Sequence, residues 1–177
     1  MFRSPLRIVA ILLLVLGSAS PAMASLIFES PHVHPLDMTP DGTKLIAVNT
    51  DDQRISVFDL TSGTPDLIAE IPVGYEPVTV RVRNNTEVWV VNHISDSVSI
   101  VDLTTMNVVK TLLVGDEPTD VVFAGAPSRA FVSVSQEDMV RVYDAAAPGA
   151  SLADIPINNS APRSLVVALR APKVYVP

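Results

Sequence analysis

The sequence predicts an all-β fold built from one four-stranded unit that repeats along the chain. Three short apolar runs, at residues 88–91, 98–101 and 108–114, are rich in β-branched residues and are separated by polar, turn-forming residues. Each run is too short for a helix and is typical of a strand. Similar runs occur on both sides of this stretch, so we expect the same unit throughout the chain.

Three sequence markers recur with one period. A proline precedes the first strand of each unit, at spacings of 42, 41 and 44 residues: Pro35, Pro77, Pro118 and Pro162. An aspartate ends the third strand, at spacings of 43 and 42: Asp59, Asp102 and Asp144. A Val-Gly pair ends the fourth strand twice, with Val73 and Val114 41 residues apart. A period of about 42 residues with four strands predicts a β-propeller of four-stranded antiparallel blades.

The repeat divides residues 25–177 into three complete blades and part of a fourth, within a single domain. The predicted blades lie near 35–74, 77–115, 118–158 and 162–177. Their strands are expected near 36–39, 44–49, 55–59, 66–73, 78–82, 87–92, 98–102, 108–114, 120–123, 130–133, 140–144, 152–157, 164–168 and 173–176. Residues 27–29 align with a fourth strand. We expect this N-terminal segment to close the ring as the outer strand of the last blade, because an open ring leaves unpaired strand edges.

The blade count predicts an incomplete ring. The sequence supplies about three and a half blades, whereas propellers have about four to eight. We expect a fragment of a longer protein with a seven-bladed ring. The alternative is a natural half-propeller that another subunit completes. Expressed alone, residues 25–177 are expected to expose two sheet edges and to aggregate or self-associate, and a well-behaved monomer would count against the fragment.

Blade two carries a family resemblance. The runs VWVVN at residues 88–92, SVSIVD at 97–102 and VKTLLVG at 109–115, followed by Glu117 and Pro118, resemble the YVTN-type β-propeller repeat. Blade one is similar, with PDGTKLIAVN at 40–49 and ISVFD at 55–59. The resemblance implies the propeller fold and no particular function, because this repeat occurs in proteins of many roles.

Blade three departs from the repeat in three ways. Ser133 is aligned with Asn49 and Asn92, the following loop is counted as one residue longer, and Asn158-Asn159 replaces the Val-Gly pair. We therefore expect an altered turn after the second strand of this blade.

Residues 1–24 have the features of a secretory signal peptide. Arg3 and Arg7 form a positive region, residues 8–16 are apolar, and Ala22-Met23-Ala24 is a cleavage motif before Ser25. The apolar run is too short to span a bilayer as a helix. We expect a periplasmic or extracellular protein with no membrane span after cleavage.

Composition narrows the classes of partner and cofactor. Without Arg3 and Arg7 the chain has 10 basic and 19 acidic residues, a net charge of −9. This charge argues against nucleic acid and anionic membranes as partners, and it fits a cationic partner. The chain has no cysteine, which excludes a Cys-ligated metal and a c-type haem attached to this chain. We expect no cofactor here, apart from the histidine-bound metal considered below.

Strand direction places two sets of loops at one end of the ring. The loops from strand four to the next strand one, and from strand two to strand three, frame the mouth of the channel. Tyr75 is a candidate for lining a ligand site, and the acidic side chains are candidates for holding Ca²⁺ or steering a cationic partner. The candidate ligand-binding residues on these loops are His32, His34, Asp51, Asp52, Tyr75, Glu76, His93, Asp96, Asp116 and Glu117.

The three histidines share this end and are candidate ligands for Zn, Cu or Fe. This plan resembles nitrous oxide reductase, whose propeller histidines hold a copper cluster. The alternative is that His32, His34 and His93 are loop residues without a metal.

The repeated polar and aromatic residues are interpreted as structural. Asp59, Asp102 and Asp144 each precede a turn, whose N–H groups an aspartate can accept, and Asn49 and Asn92 end strand two in a similar way. The aromatic residues within strands are expected to pack between blades: Phe58, Trp89, Phe131 and Tyr143.

No catalytic motif is recognisable, so we assign no catalytic residue. The leading hypothesis is an exported binding or scaffold module that recognises a protein, a glycan or a small ligand through the mouth loops. One alternative is the propeller part of an exported oxidoreductase whose c-type haem or copper domain lies outside this sequence. Another is a lactonase-like, metal-dependent hydrolase, for which the first strands offer Asp37 and Asp120.

Overall fold

The computed structural model describes residues 30–158, 161–168 and 173–177. These residues form three four-stranded antiparallel sheets and one two-stranded sheet, and none of them is helical. Each four-stranded sheet follows chain order, so each is one blade. The predicted signal peptide and the predicted closing strand at 27–29 lie outside the described residues.

The strands follow the predicted order, and their ends lie within about two residues of the predicted ones. Blade one contains β1 (Leu36–Met38), β2 (Lys44–Asn49), β3 (Arg54–Asp59) and β4 (Asp66–Pro72). Blade two contains β5 (Pro77–Asn84), β6 (Glu87–Asn92), β7 (Ser97–Asp102) and β8 (Asn107–Leu113). Blade three contains β9 (Pro118–Ala124), β10 (Arg129–Val134), β11 (Met139–Asp144) and β12 (Ala153–Pro156). The last sheet pairs β13 (Val166–Val167) with β14 (Val174–Tyr175).

The first strands of the blades lie side by side. Strand β1 contacts β5, β5 contacts β9, and β9 contacts β13. A short parallel bridge joins His34, just before β1, to Thr79 of β5. Strands β4, β8 and β12 lie at the other edge of their sheets. This arrangement of inner and outer strands is that of a β-propeller, and it confirms the predicted fold class.

The core lies between the blades. Ile46 and Ile55 of blade one pack with Val80 and Val90 of blade two in one buried cluster. A second cluster joins blades two and three, and it includes Trp89. Because both faces of blade two are covered, its second strand β6 is buried at five consecutive positions, Val88 to Asn92, of which four are apolar.

The aromatic residues within the strands differ in burial. Trp89 is fully buried and meets Phe123 edge-on, with ring centroids 5.4 Å apart. Tyr143 is also buried, whereas Phe58 and Phe131 are half-buried. Phe58 lines an open pocket on the side of blade one that the described residues leave uncovered. The predicted packing role is therefore complete for Trp89 and Tyr143 and partial for the other two.

The expected change after the second strand of blade three is wrong. Val134, not Ser133, occupies the register position of Asn92, because Val134 pairs with Met139 as Asn92 pairs with Ser97. The turn that follows has four residues in all three blades, at 50–53, 93–96 and 135–138. The extra residue relative to blade two instead lies in the turn between β9 and β10, which has four residues at 125–128 against two at 85–86. The register shift next to Val134 is not its cause, because blade two has an equivalent shift between Pro77 and Thr79.

The described part of the chain contains no helix with the length and apolar character needed to cross a membrane.

Replacing Trp89 with alanine should destabilise the fold strongly, because the indole fills the interface between blades two and three. We expect a loss of about 3–5 kcal/mol in the free energy of unfolding, measured by denaturant titration. The matched control is Val109→Ala, since Val109 is 60% exposed on the outer strand. The control should change stability by less than about 0.5 kcal/mol. Equal effects for the two variants would contradict the assignment of the core.

Candidate functional site

The two sets of loops meet at one end of the blades, as the topology predicts. The turn after β6 donates from His93 N to Glu76 O at 2.9 Å and from Ile94 N to Tyr75 O at 3.3 Å. The turn after β10 repeats this pattern against the loop at 115–117. We call this surface the mouth face, and it comprises residues 32–34, 50–53, 74–76, 93–96, 115–117 and 135–138.

Thr50 and His93 occupy equivalent positions and make the same contact between blades. The Thr50 hydroxyl donates to the Pro77 carbonyl at 2.8 Å, and His93 Nδ1 donates to the Pro118 carbonyl at 3.0 Å. In each case the acceptor begins the first strand of the next blade. His93 is 7% exposed, so its ring is part of the packed interior below the mouth face. The second ring nitrogen, Nε2, lies 3.7 Å from Glu117 Oε2.

The other two histidines have separate partners. His32 Nε2 lies 2.6 Å from Thr50 Oγ1 and acts as the donor, because that hydroxyl already donates to Pro77. His34 Nδ1 donates to the Val80 carbonyl at 3.0 Å. Across the described residues, no group of three or more His, Cys, Asp or Glu side chains is placed to hold a metal ion. The geometry gives each histidine a hydrogen-bonding role and does not bring the three rings together.

Several mouth-face carboxylates fasten one loop to the next. Asp96 accepts from the Glu117 backbone N–H at 3.1 Å, and Asp138 accepts from that of Ala161 at 2.9 Å. Glu76 accepts from the Ser30 hydroxyl at 2.6 Å. Asp96 and Asp138 also have positive φ angles of 53° and 50°, a conformation that aspartate tolerates better than most residues.

The remaining candidate acidic residues of the mouth face divide into two that accept a hydrogen bond from a side-chain amide and two that accept none from the described residues. Asp52 accepts from the Asn49 amide at 3.0 Å, and Glu117 accepts from the Gln136 amide at 3.0 Å. The exposed side chains of Asp51 and Asp116 have no hydrogen bond or ion pair with any described residue. These two carboxylates are therefore free to meet a ligand.

Tyr75 and Ile94 form an exposed apolar pair on the mouth face. The two residues are 60% and 53% exposed, and the Ile94 N–H donates to the Tyr75 carbonyl. The Tyr75 N–H also donates to Ser95 Oγ at 3.0 Å. Sequence reasoning identified Tyr75 and missed Ile94. The available signal was a large aliphatic residue within an otherwise polar turn.

A hydrogen bond to a buried side chain fixes the loop that carries Tyr75. The Gly74 N–H donates to the buried side chain of Asn92, which also bonds the hydroxyls of Ser97 and Ser99. A Cβ at position 74 would overlap the side chains of Asn92 and Ser95, so only glycine fits there. The structural role predicted for Asn92 is thus a specific one, which is to fix the mouth loop.

The two acids on the first strands hold neighbouring blades together. Asp37 accepts from the Val82 N–H at 2.8 Å, and Asp120 accepts from the Leu165 N–H at 2.8 Å. Asp120 is fully buried and also binds Arg81 through two bonds of 3.1 and 3.0 Å. The Asp120 carboxylate, which the hydrolase hypothesis would use as a metal ligand, is therefore occupied by protein donors.

The repeated aspartates close turns, as predicted. The backbone N–H of Thr61 donates to Asp59, and that of Thr104 donates to Asp102, both at 2.7 Å. The threonine hydroxyls, followed by these N–H groups, lower the pKa values of Asp59 and Asp102. The Ala146 N–H, followed by Arg129, lowers the pKa of Asp144. Hydrogen bonds to the ionised form explain all three shifts, so the shifts indicate turn structure, not catalysis.

No protein-family model matches the chain, and no curated protein matches it. Solved structures do. Hydrazine synthase of Kuenenia stuttgartiensis is 22% identical with a TM-score of 0.71, over 84% of this chain and 43% of that one. A putative 6-phosphogluconolactonase of Bacteroides uniformis is 20% identical with a TM-score of 0.68, over 84% and 52%.

A functionally unknown protein of Desulfotomaculum acetoxidans is also similar. It is 19% identical with a TM-score of 0.67, over 80% of this chain and 47% of that one. The chain thus spans about half the length of the solved structures that it resembles. At this level of identity the likeness shows the fold alone, which is an all-β propeller of four-stranded antiparallel blades.

Replacing His93 with threonine should cost little stability, because Thr50 of blade one makes the equivalent bond to the first strand of the next blade. We expect His93→Thr to change the free energy of unfolding by less than about 1 kcal/mol, and His93→Ala to cost about 1–3 kcal/mol by leaving the Pro118 carbonyl without its donor. The free energy of unfolding of the wild type and both variants would be measured by thermal and denaturant unfolding, with and without added Zn²⁺ or Cu²⁺. Metal-dependent stabilisation of the wild type that His93→Thr abolishes would contradict the structural role.

Proposed function

We propose that this chain is a non-catalytic recognition module of an exported β-propeller protein, and that its mouth face binds a protein, a glycan or a small ligand. The observation that carries the proposal is the exposed pair of Tyr75 and Ile94 on a backbone held by hydrogen bonds. An aromatic ring with an apolar body and a polar tip is suited to both protein and sugar surfaces.

Rigidity of the supporting loops favours binding at this position. The Tyr75 loop is tied to the turn at 93–96, and that turn is tied through His93 to the next blade. A ligand that contacts Tyr75 would then order few additional groups, which lowers the entropic cost of association. Polar groups beneath the pair are already satisfied by protein partners, so the apolar side chains are the contact surface that remains.

Charge on the mouth face favours a cationic group on the ligand. Asp51 and Asp116 are exposed without a described partner, and the predicted mature chain carries a net charge of −9. A surface of this sign attracts cations and repels nucleic acid. Export, a periplasmic or extracellular location, and membership of the YVTN-type repeat remain part of the proposal, as does a seven-bladed ring completed by a longer chain or by another subunit.

The enzyme alternatives have less support from the described residues. A lactonase-like site would need free ligands on the first strands, and Asp37 and Asp120 are both bonded to neighbouring strands. The oxidoreductase alternative depends on a haem or copper domain elsewhere, which the described residues do not test. We propose no cofactor in this chain, because each of its three histidines is bonded to a protein group.

Removal of the Tyr75 ring should weaken ligand binding without unfolding the protein. The probes are a defined panel of neutral and cationic oligosaccharides and a set of basic and acidic synthetic peptides, with binding measured by calorimetry. We expect at least one probe with a cationic group to bind. Tyr75→Ala should weaken that binding at least tenfold, which corresponds to about 1.4 kcal/mol.

The matched control for this experiment is Leu67→Ala, because Leu67 is 55% exposed on the outer strand, away from the mouth face. This variant should bind the same probe with unchanged affinity. Absence of binding by the whole panel, or equal binding by Tyr75→Ala, would overturn the proposal.

A further inference from the structure

The outer strands differ in how their free edges are protected. Val73, Val114 and Ile157 donate their N–H groups inward, each to the carbonyl of the residue just before the third strand of its own blade. In an antiparallel ladder the groups of alternate residues face opposite sides. The residue before each of these therefore points its backbone groups outward, and the three outward positions are Pro72, Leu113 and Pro156.

Blades one and three block their outer edges. Pro72 and Pro156 have no N–H group, so they cannot donate to an added strand. The next outward positions along the same strands are Glu70 and Asp154, which are charged. Proline and charge are the features by which native sheets avoid pairing at their edges.

Blade two lacks both protections. At the equivalent positions it carries Leu113 and Thr111, both exposed, and the Leu113 residue is 82% exposed. The outward N–H groups of these two residues have no hydrogen-bond partner among the described residues. Strand β8 is otherwise rich in apolar residues, as its sequence NVVKTLL shows. Its outer edge is therefore open to an added strand.

We propose that the outer edge of β8 pairs with β8 of a second copy of this chain, antiparallel and about a twofold axis. The outward positions suit this symmetry, because a twofold axis at Leu112 places Thr111 of each copy opposite Leu113 of the other. Two such opposed pairs exchange four backbone hydrogen bonds. In the same register Lys110, whose ammonium also donates to the Pro148 carbonyl of its own chain, lies opposite Val114 of the second copy and two residues from its exposed Asp116.

The pairing segment is short, and the association is correspondingly weak. Val109 is a bulged residue without a partner on β7, since Ile100 pairs with Lys110 and Val101 pairs with Val108. A bulge bends the strand and ends regular pairing. The ladder is therefore restricted to the stretch after Val109, and dimers are expected to form reversibly as the concentration rises.

The test measures self-association of the purified chain by sedimentation velocity over a dilution series. Hydrogen exchange at individual amides is followed over the same series. The wild type should form dimers, and the amides of Thr111 and Leu113 should exchange more slowly as dimers form. Leu113→Pro should raise the dimer dissociation constant at least tenfold, because it introduces the protection found in blades one and three.

Two further variants keep the result interpretable. Leu113→Lys retains the N–H group and opposes pairing by charge, so it should also weaken the dimer if Leu113→Pro fails to fold. Leu67→Ala, on the outer strand of blade one, should leave the dimer unchanged. A wild type that stays monomeric would overturn the proposal. Association that survives both Leu113 variants would also overturn it, since it would then arise from the open blade faces.

Discussion

The first strands must be held side by side, and the rest of the structure depends on this constraint. Asp120 is the clearest case, because its fully buried carboxylate receives two bonds from Arg81 of the preceding blade and one from Leu165 N of the following one. A buried charge is costly unless its oxygens are bonded. Here the bonds come from the blades on both sides of blade three, so satisfying the charge also fixes three consecutive blades relative to one another.

Other residue types also form side-chain hydrogen bonds between neighbouring blades, at other positions along the first strands and on the mouth face. Thr79 donates to the Thr119 carbonyl of β9, and Thr119 donates to the Pro162 carbonyl in the segment before β13. Thr50 and His93 donate from the mouth face to the first residues of β5 and β9. Polar residues that looked functional in the sequence are thereby used for assembly. The surface left for recognition is correspondingly small, and it consists of the exposed apolar pair with nearby free carboxylates.

The fold was predictable because blade strands are short, apolar and separated by turns at a constant period. Details that depend on register were not predictable in this way. Ser133 was aligned with Asn92 on residue similarity, whereas pairing with Met139 assigns that position to Val134. Ile94 was overlooked because hydrophobic character alone does not tell whether a turn residue is buried.

The exposed edge of β8 is another feature that depends on strand register and could not be predicted from the sequence. Pro72, Leu113 and Pro156 become comparable only when the inward bonds of the residues that follow them are known. Likewise, three histidines on one end of the blades suggested a metal site. Only the geometry shows that each ring already has its own hydrogen-bond partner.

The central claim is that side-chain bonds between first strands hold the blades together, and a double-mutant cycle on Arg81 and Asp120 tests it most directly. The free energy of unfolding would be measured for the wild type, Arg81→Met, Asp120→Ala and the double variant. We predict a coupling energy above about 1 kcal/mol, because each single change leaves the partner without its main contact. A coupling energy near zero would contradict the claim, since the blades would then be held by apolar packing alone.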